Sequence, residues 1–346
     1  MNFKSNILIT GNLGYIGTVL TDYLKNNNYH ITGMDSGLFK DCLLCEETLP
    51  HKQILKDVRD INCNDLKNYE IIVYLSAISN DPLGEFDKKI TNDINYIGAV
   101  NFAKKAKESG VKKFIFISSQ SMYGISETTK ELDEDNSKKN PITEYAKTKW
   151  NAEKEILKLN NENFTTISLR PSTVFGSSPR LRCDIVFNNL LACAYTTNEI
   201  VIKSDGSPWR PVIHIKDVCN AIEATIKAPI NLVAAKSFNI GIPDGNFTVK
   251  EIAETVKDLL PNSNLKFTGE HTDSRTYKVS FNRILIGLKD YYKPEFDLKS
   301  GGKELLSFFE KVNLTYEDFI GYKTNRLVCL KENYKKKFDE NLKKIK

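Results

Sequence analysis

Tyr145 and Lys149 stand four residues apart in Thr143-Glu144-Tyr145-Ala146-Lys147-Thr148-Lys149, a strongly helical stretch. That spacing puts a phenol and an ammonium on one helix face. A phenol takes a proton from an alcohol only as phenolate. With an ordinary pKa of about 10, roughly one tyrosine in a thousand is ionised at neutral pH, and bringing the pKa down to neutrality requires about 4 kcal/mol of differential electrostatics. Adjacent positive charge in a partly desolvated site is of the right size to supply that. Upstream, the apolar run Phe114-Ile115-Phe116-Ile117 opens into Ser118-Ser119-Gln120-Ser121, hydroxyls at the end of a strand that can orient an alcohol oxygen. Phenol, ammonium and hydroxyl together suit removal of a proton from an alcohol as hydride leaves its carbon.

Several other elements are needed to hold such groups and a hydride acceptor. Ile7-Leu8-Ile9-Thr10 reads as a short buried strand, followed by Gly11-Asn12-Leu13-Gly14-Tyr15-Ile16-Gly17 and an amphipathic run through Val19, Leu20, Tyr23 and Leu24. Strand, glycine turn and helix in that order let backbone approach a pyrophosphate at a helix N-terminus. A second strand, Tyr29 to Met34, ends in Asp35, about where a doubly wound sheet offers a carboxylate to an adenosine ribose. A carboxylate there repels a 2′-phosphate, and no Lys or Arg follows until Lys40, which favours NAD over NADP. Ser36-Gly37 leaves open that Asp35 merely starts a turn. Ile71-Ile72-Val73-Tyr74-Leu75 is apolar throughout, as a strand covered on both faces should be, and its exit loop runs from Ser76 to Pro82. Ligands of such sheets lie outside the carboxyl ends of the strands. The chain therefore reads as α/β, with a doubly wound parallel sheet.

The glycine spacing, the hydroxyl cluster and the Tyr-x-x-x-Lys helix, in this order, resemble the extended short-chain dehydrogenase/reductase family, in its UDP-galactose 4-epimerase-like branch of nucleotide-sugar epimerases and dehydratases. The resemblance runs from about Ile7 to Phe309. It implies a Rossmann-like NAD-binding domain over 1–176, a smaller interleaved α/β lobe over 177–321 that holds mainly the nucleotide sugar, and a basic helical tail over 322–346. It also implies cofactor contacts from Gly11, Leu13, Gly14, Tyr15, Ile16 and Gly17, from Asp35, from Asp57 and Val58 against the adenine, and from Leu75, Ser76, Ala77, Asn95, Ile117, Tyr145, Lys149, Pro171 and Thr173. Ser119, Tyr145 and Lys149 take the catalytic roles. Ser79, Asn80, Ser119, Gln120, Ser121, Asn188, Asn189, Arg210 and Arg275 take the substrate, with Arg210 and Arg275 on its phosphates, a task suited to the planar guanidinium fork. Two departures stand out: Tyr74-Leu75-Ser76-Ala77 where the family has His-Leu-Ala-Ala, and Phe175 where a tyrosine is usual.

Reactions of this family diverge after the first hydride transfer. Its 4,6-dehydratases carry Asp-Glu directly after the hydroxyl residue to eliminate water, whereas this chain has Gln120-Ser121. Epimerisation at C4 through a 4-keto sugar is the first expectation. Net C4 dehydrogenation or 4-ketoreduction is the alternative, with dehydration behind both and an NAD-sensing module without chemistry last.

Composition bounds the rest. A chain of 346 residues with 40% hydrophobic and 27% charged residues suits one large α/β unit with an appended lobe. No apolar run nears the roughly 18 to 20 residues of a membrane span, and no leader pattern precedes the first strand. The net charge is +5, yet Tyr322 to Lys346 alone holds nine Lys or Arg against three Asp or Glu, so the body is close to neutral and nucleic acid is not an expected partner. The tail reads as a solvated helix. Seven cysteines, an odd number in a large chain, fit reduced thiols in a cytoplasmic protein, and Cys42-x-x-Cys45 lacks a second pair at zinc spacing, so no metal is expected. A homodimer is expected from the resemblance.

Overall fold

The computed structural model describes residues 3–269, 275–333, 336 and 338–343. In chain order its strands are β1 (Asn6–Thr10), β2 (His30–Asp35), β3 (Lys52–Leu55), β4 (Ile71–Tyr74), β5 (Lys113–Ile117), β6 (Thr165–Pro171), β7 (Thr173–Phe175), β8 (Glu199–Ile202), β9 (Trp209–His214), β10 (Lys236–Ile240), β11 (Asn246–Thr248) and β12 (Asn264–Phe267). Seven of them form one sheet in the order β10-β6-β5-β4-β1-β2-β3, every neighbouring pair parallel. The direction of winding reverses between β1 and β4, and a crevice opens at the carboxyl ends of strands where that happens.

Side chains of successive strand residues point to opposite faces, and the core divides accordingly. Ile7 and Ile9 of β1 join Ile115 and Ile117 of β5 in one apolar cluster, while Leu8, Phe114 and Phe116 belong to the cluster on the other face. Helices cover both faces, which is why β4 carries no polar alternation. The helix Tyr15–Asn26 links β1 to β2, Ala99–Glu108 leads into β5, and Glu144–Leu157 leads into β6. Thr143 caps this last helix, its hydroxyl accepting from the Ala146 amide at 3.2 Å.

The smaller lobe holds a three-stranded sheet in the order β11-β9-β7 and the pair β12-β8. The chain then returns: the helix Ile215–Lys227 packs on Tyr15–Asn26, and β10 adds itself to β6 in parallel register, Phe238 opposite Leu169. His214 ends β9 with no exposed surface, stacked on Phe296 at 3.9 Å between ring centroids.

The tail departs from the solvated helix expected of its charge. A helix does form over Arg326–Asn333, but Leu330, Phe338 and Leu342 are buried with Leu38, Ile78, Leu83, Ile90 and Ile94. Its lysines at 331 and 336 stay exposed, and Lys343 pairs with Asp60 at 2.5 Å. Apolar residues spaced too irregularly to mark one helix face carry the packing.

Candidate active site

A cavity of about 440 Å³ lies at the switch between β1 and β4 and extends toward the smaller lobe. The glycine turn forms its floor. Gly11 adopts φ +74°, and a Cβ there would sit 2.9 Å from the Ser76 amide nitrogen, so only glycine lets this turn lie against the exit of β4. A Cβ on Gly17 would collide with the Gly11 carbonyl and the Asn12 backbone. The first turn of the helix Tyr15–Asn26 is thereby drawn onto the strand exit with its amides facing the cavity, a cradle that fits a pyrophosphate.

Beside the turn, Asp35 ends β2 half-buried. One carboxylate oxygen accepts from the Gly37 amide at 2.7 Å and the other from the Leu13 amide at 3.3 Å. Burial pushes its pKa above the usual carboxylate range while these amides pull the other way. The turn with Gly37 and the place in the cavity wall coexist, and the remaining lone pairs suit ribose hydroxyls. Asp57 faces the same end with Val58, its carboxylate gripped by Arg59 at 3.0 and 2.7 Å.

At the other end Ser119, Tyr145 and Lys149 meet in one wall. Ser119 lies close enough to the Tyr145 phenol to lower its pKa and accepts from the Ser121 amide and hydroxyl at 3.1 and 2.9 Å. Burial pushes the phenol up to about 12, with Ser119 lowering it, the Asp81 carboxylate raising it and the Arg182 guanidinium lowering it. Lys149 lies on Phe116, Nζ 4.5 Å from the ring centroid, and burial brings its pKa down to about 7. Burial thus moves the two groups in opposite directions, the phenol up and the ammonium down.

Of the other residues singled out from the sequence, Leu13, Gly14, Tyr15, Ile16, Leu75, Ser76, Ala77, Ile117, Pro171 and Thr173 line the cavity, as do Ser79, Asn80, Ser121, Arg210 and Arg275. Four are placed behind its wall. Asn95 clasps Ile78 through both backbone groups, at 2.8 and 2.9 Å, and so shapes the β4 exit loop. Gln120 is buried and donates to the carbonyls of Arg170 and Ile240 at 2.9 and 3.2 Å. Asn188 accepts from the Gly176 amide and donates to the Tyr15 hydroxyl and the Arg182 carbonyl, and Asn189 donates to the Cys183 carbonyl at 2.8 Å.

The cavity also takes in groups that had no individual role from the sequence, among them Arg182 of the Pro179-Arg180-Leu181-Arg182 segment, which resembles positions that hold a nucleotide diphosphate in the family. Arg182 lines the cavity, forks onto Asp184 with two bonds of 2.8 Å and donates to the Ser79 hydroxyl at 2.8 Å, while Asn80 donates to Asp184 at 2.9 Å. Asp81 and Tyr277 face the same space. Arg326 and Leu342 of the tail close the end near Leu38 and Phe39. The alternation Leu181, Arg182, Cys183, Asp184, Ile185 carried a signal for the arginine and aspartate; the tail residues carried none.

Comparison with known proteins agrees with this geometry. Residues 7–241 match the NAD dependent epimerase/dehydratase family. The N-acetyl-alpha-D-glucosaminyl-diphospho-ditrans,octacis-undecaprenol 4-epimerase of Escherichia coli O157:H7 is 25% identical over 76% of this chain and 76% of its own. The dTDP-D-glucose 4,6-dehydratase of Bos taurus is 24% identical over 90% of each chain. The fold is similar to that of the UDP-glucose 4-epimerase from Thermotoga maritima, solved with UDP-glucose, at a TM-score of 0.75, 21% identity, and coverage of 89% of this chain and 100% of that one. With the glycine cradle, the Tyr145 and Lys149 pair and a match over more than half its length, this chain belongs to the NAD dependent epimerase/dehydratase family of enzymes.

Proposed function

We propose that the protein oxidises and reduces a nucleotide-activated sugar at C4, and that its net reaction is epimerisation through a 4-keto sugar. The observation that carries this reading is the setting of Ser119. It and Tyr145 face the cavity together, while the next side chain, Gln120, is drawn into the core to hold Arg170 and Ile240 and Ser121 is bonded to Ser119. No carboxylate follows the hydroxyl residue to drive loss of water. Asp81 and Asp184, the acids at this end of the cavity, are each paired with an arginine.

NAD, when bound, supplies the acceptor and donor of hydride. Ser119 orients the C4 oxygen and Tyr145 takes its proton. Burial places the phenol at about 12, and positive charge close to it, from Lys149 or an oxidised nicotinamide, favours the phenolate. Lys149, poised near 7, can hold or give up a proton at physiological pH and stands one helical turn away to hold the nicotinamide ribose.

Incubation with UDP-, dTDP-, GDP- and CDP-sugars, following sugar stereochemistry by NMR and reduced-nicotinamide absorbance together, tests the reaction. The expected result is an epimer with substoichiometric reduced cofactor, because an epimerase returns the hydride in each cycle. A keto sugar accumulating in step with NADH would replace epimerisation with net dehydrogenation.

Cofactor choice rests on Asp35. Wild-type protein should bind NAD more tightly than NADP in a calorimetric titration. Asp35→Ala should cost NAD about 1.5 to 3 kcal/mol, the range for a hydrogen bond to a charged group, and narrow the gap. Wild-type preference for NADP would remove Asp35 from that role.

A further inference from the structure

Asp81 opens the four-residue helix Asp81–Gly84 in the exit loop of β4, directly after Asn80, which adopts φ 76°. Its carboxylate has two partners from distant parts of the chain. One is the hydroxyl of Thr143, the cap of the helix that carries Tyr145. The other is the guanidinium of Arg275, which lines the same cavity. Arg210 in turn donates to the Arg275 carbonyl and, at 2.9 Å, to the Trp209 carbonyl. Both arginines read as phosphate ligands are therefore engaged with protein acceptors.

We infer that Asp81 is a displaceable internal counter-ion, which occupies Arg275 until the diphosphate of the substrate takes its place, a role that rests on the nucleotide-sugar reading of the site. Asp81 itself cannot withdraw: Gly84, at the end of its helix, packs so closely that a Cβ there would lie 2.9 Å from the Tyr145 Cβ, and Thr143 holds the carboxylate from the same side. Exchange therefore falls to Arg275, whose side chain is the more exposed of the two. The guanidinium fork pairs one oxyanion bidentately, so phosphate and carboxylate compete for it. Both residues line the cavity, and exchange of their pair couples arrival of the diphosphate to release of a carboxylate beside the catalytic phenol. Asp81 is a positioning residue in this scheme, setting substrate affinity through Arg275.

Removal of a cavity side chain ordinarily weakens binding, whereas removal of a competing counter-ion strengthens it. With NAD-saturated protein, calorimetric titration of UDP, dTDP, GDP and CDP should show the best of these nucleotides binding Asp81→Asn about three- to fivefold more tightly than wild type, the scale of a partly exposed ion pair. Arg275→Ala should bind it more weakly, and adding Asp81→Asn to Arg275→Ala should restore nothing. Asparagine keeps an oxygen for Thr143; should its melting show a folding defect, Asp81→Ser gives the same readout. Unchanged or weaker binding by Asp81→Asn, or an equal gain in the Arg275→Ala background, would overturn the inference and leave the nucleotide-sugar reading standing. If none of the four nucleotides binds wild type or any variant, both fall together.

Discussion

Tyr145→Phe is expected to lower turnover by a factor of about 10² to 10⁴, the range for loss of a positioned acid or base, while NAD affinity stays near that of wild type. Phenylalanine removes only the hydroxyl that meets Ser119. The ring still fills the same wall, and Gly84 packs on the Tyr145 Cβ and backbone, which the substitution leaves in place. Single-turnover kinetics against NAD titration separates the two effects, because a displaced helix would depress both. The pH profile gives a second test. Burial holds the phenol at about 12 and Lys149 at about 7, so of these two groups the lysine is the one that titrates near neutrality. Its signal should survive in Tyr145→Phe and vanish in Lys149→Met. Normal turnover by Tyr145→Phe would remove the phenol from the chemistry.

Much of this arrangement was legible because its parts lie at ends of elements with strong patterns. The apolar runs at Ile7 and Ile71 announce strands, and the residues that leave a strand at its C-terminus land at the carboxyl edge of the sheet, where Gly11, Asp35, Ser76 and Ser119 line one cavity. Tyr145 and Lys149 came from helical spacing read together with the glycine turn and the hydroxyl cluster upstream of them. Direction within a loop was not legible. Gln120 and Ser121 both come directly after Ser119 in sequence, yet Gln120 turns inward because the carbonyls of Arg170 and Ile240 need a donor there, and those lie on strands brought together only by the late return of β10. Asn95 and Asn188 have the residue type of ligand contacts and spend it on backbone groups behind the wall. The partners of Arg182 and Asp184 are Ser79 and Asn80, about a hundred residues away. In the tail, the surplus of lysine masked Leu330, Phe338 and Leu342, whose destination is a cluster built from the β2 and β4 exits.

Loss of Glu153 should cost the fold heavily. It lies beyond Tyr145 and Lys149 at the same spacing of four, and so on the same helix face one turn deeper. Its side chain has no exposed surface and meets Arg170, which is 2% exposed, at 2.5 Å. Ser237 of β10 donates to the same carboxylate at 2.7 Å, and Arg170 also donates to the Tyr123 hydroxyl at 3.0 Å. The pair ties the helix of Tyr145 and Lys149 to β6, whose next residue, Pro171, lines the cavity. Burial pushes the Glu153 carboxyl up, but the charge and hydrogen bonds of Arg170 outweigh it and leave the pKa below the usual value. Glu153→Gln would strand a buried guanidinium, and removing one partner of such a pair costs about 3 to 5 kcal/mol. Urea denaturation should show that loss as an earlier midpoint with an unchanged slope. The sign with pH comes from the depressed pKa: the stability contributed by Glu153 is present above the ordinary glutamate value of about 4.3 and is lost as pH falls through the lower folded value. Wild type and Glu153→Gln should therefore converge in stability on the acid side. An unfolding free energy within about 1 kcal/mol of wild type at neutral pH, well short of that range, would mean that packing alone seats the helix against β6.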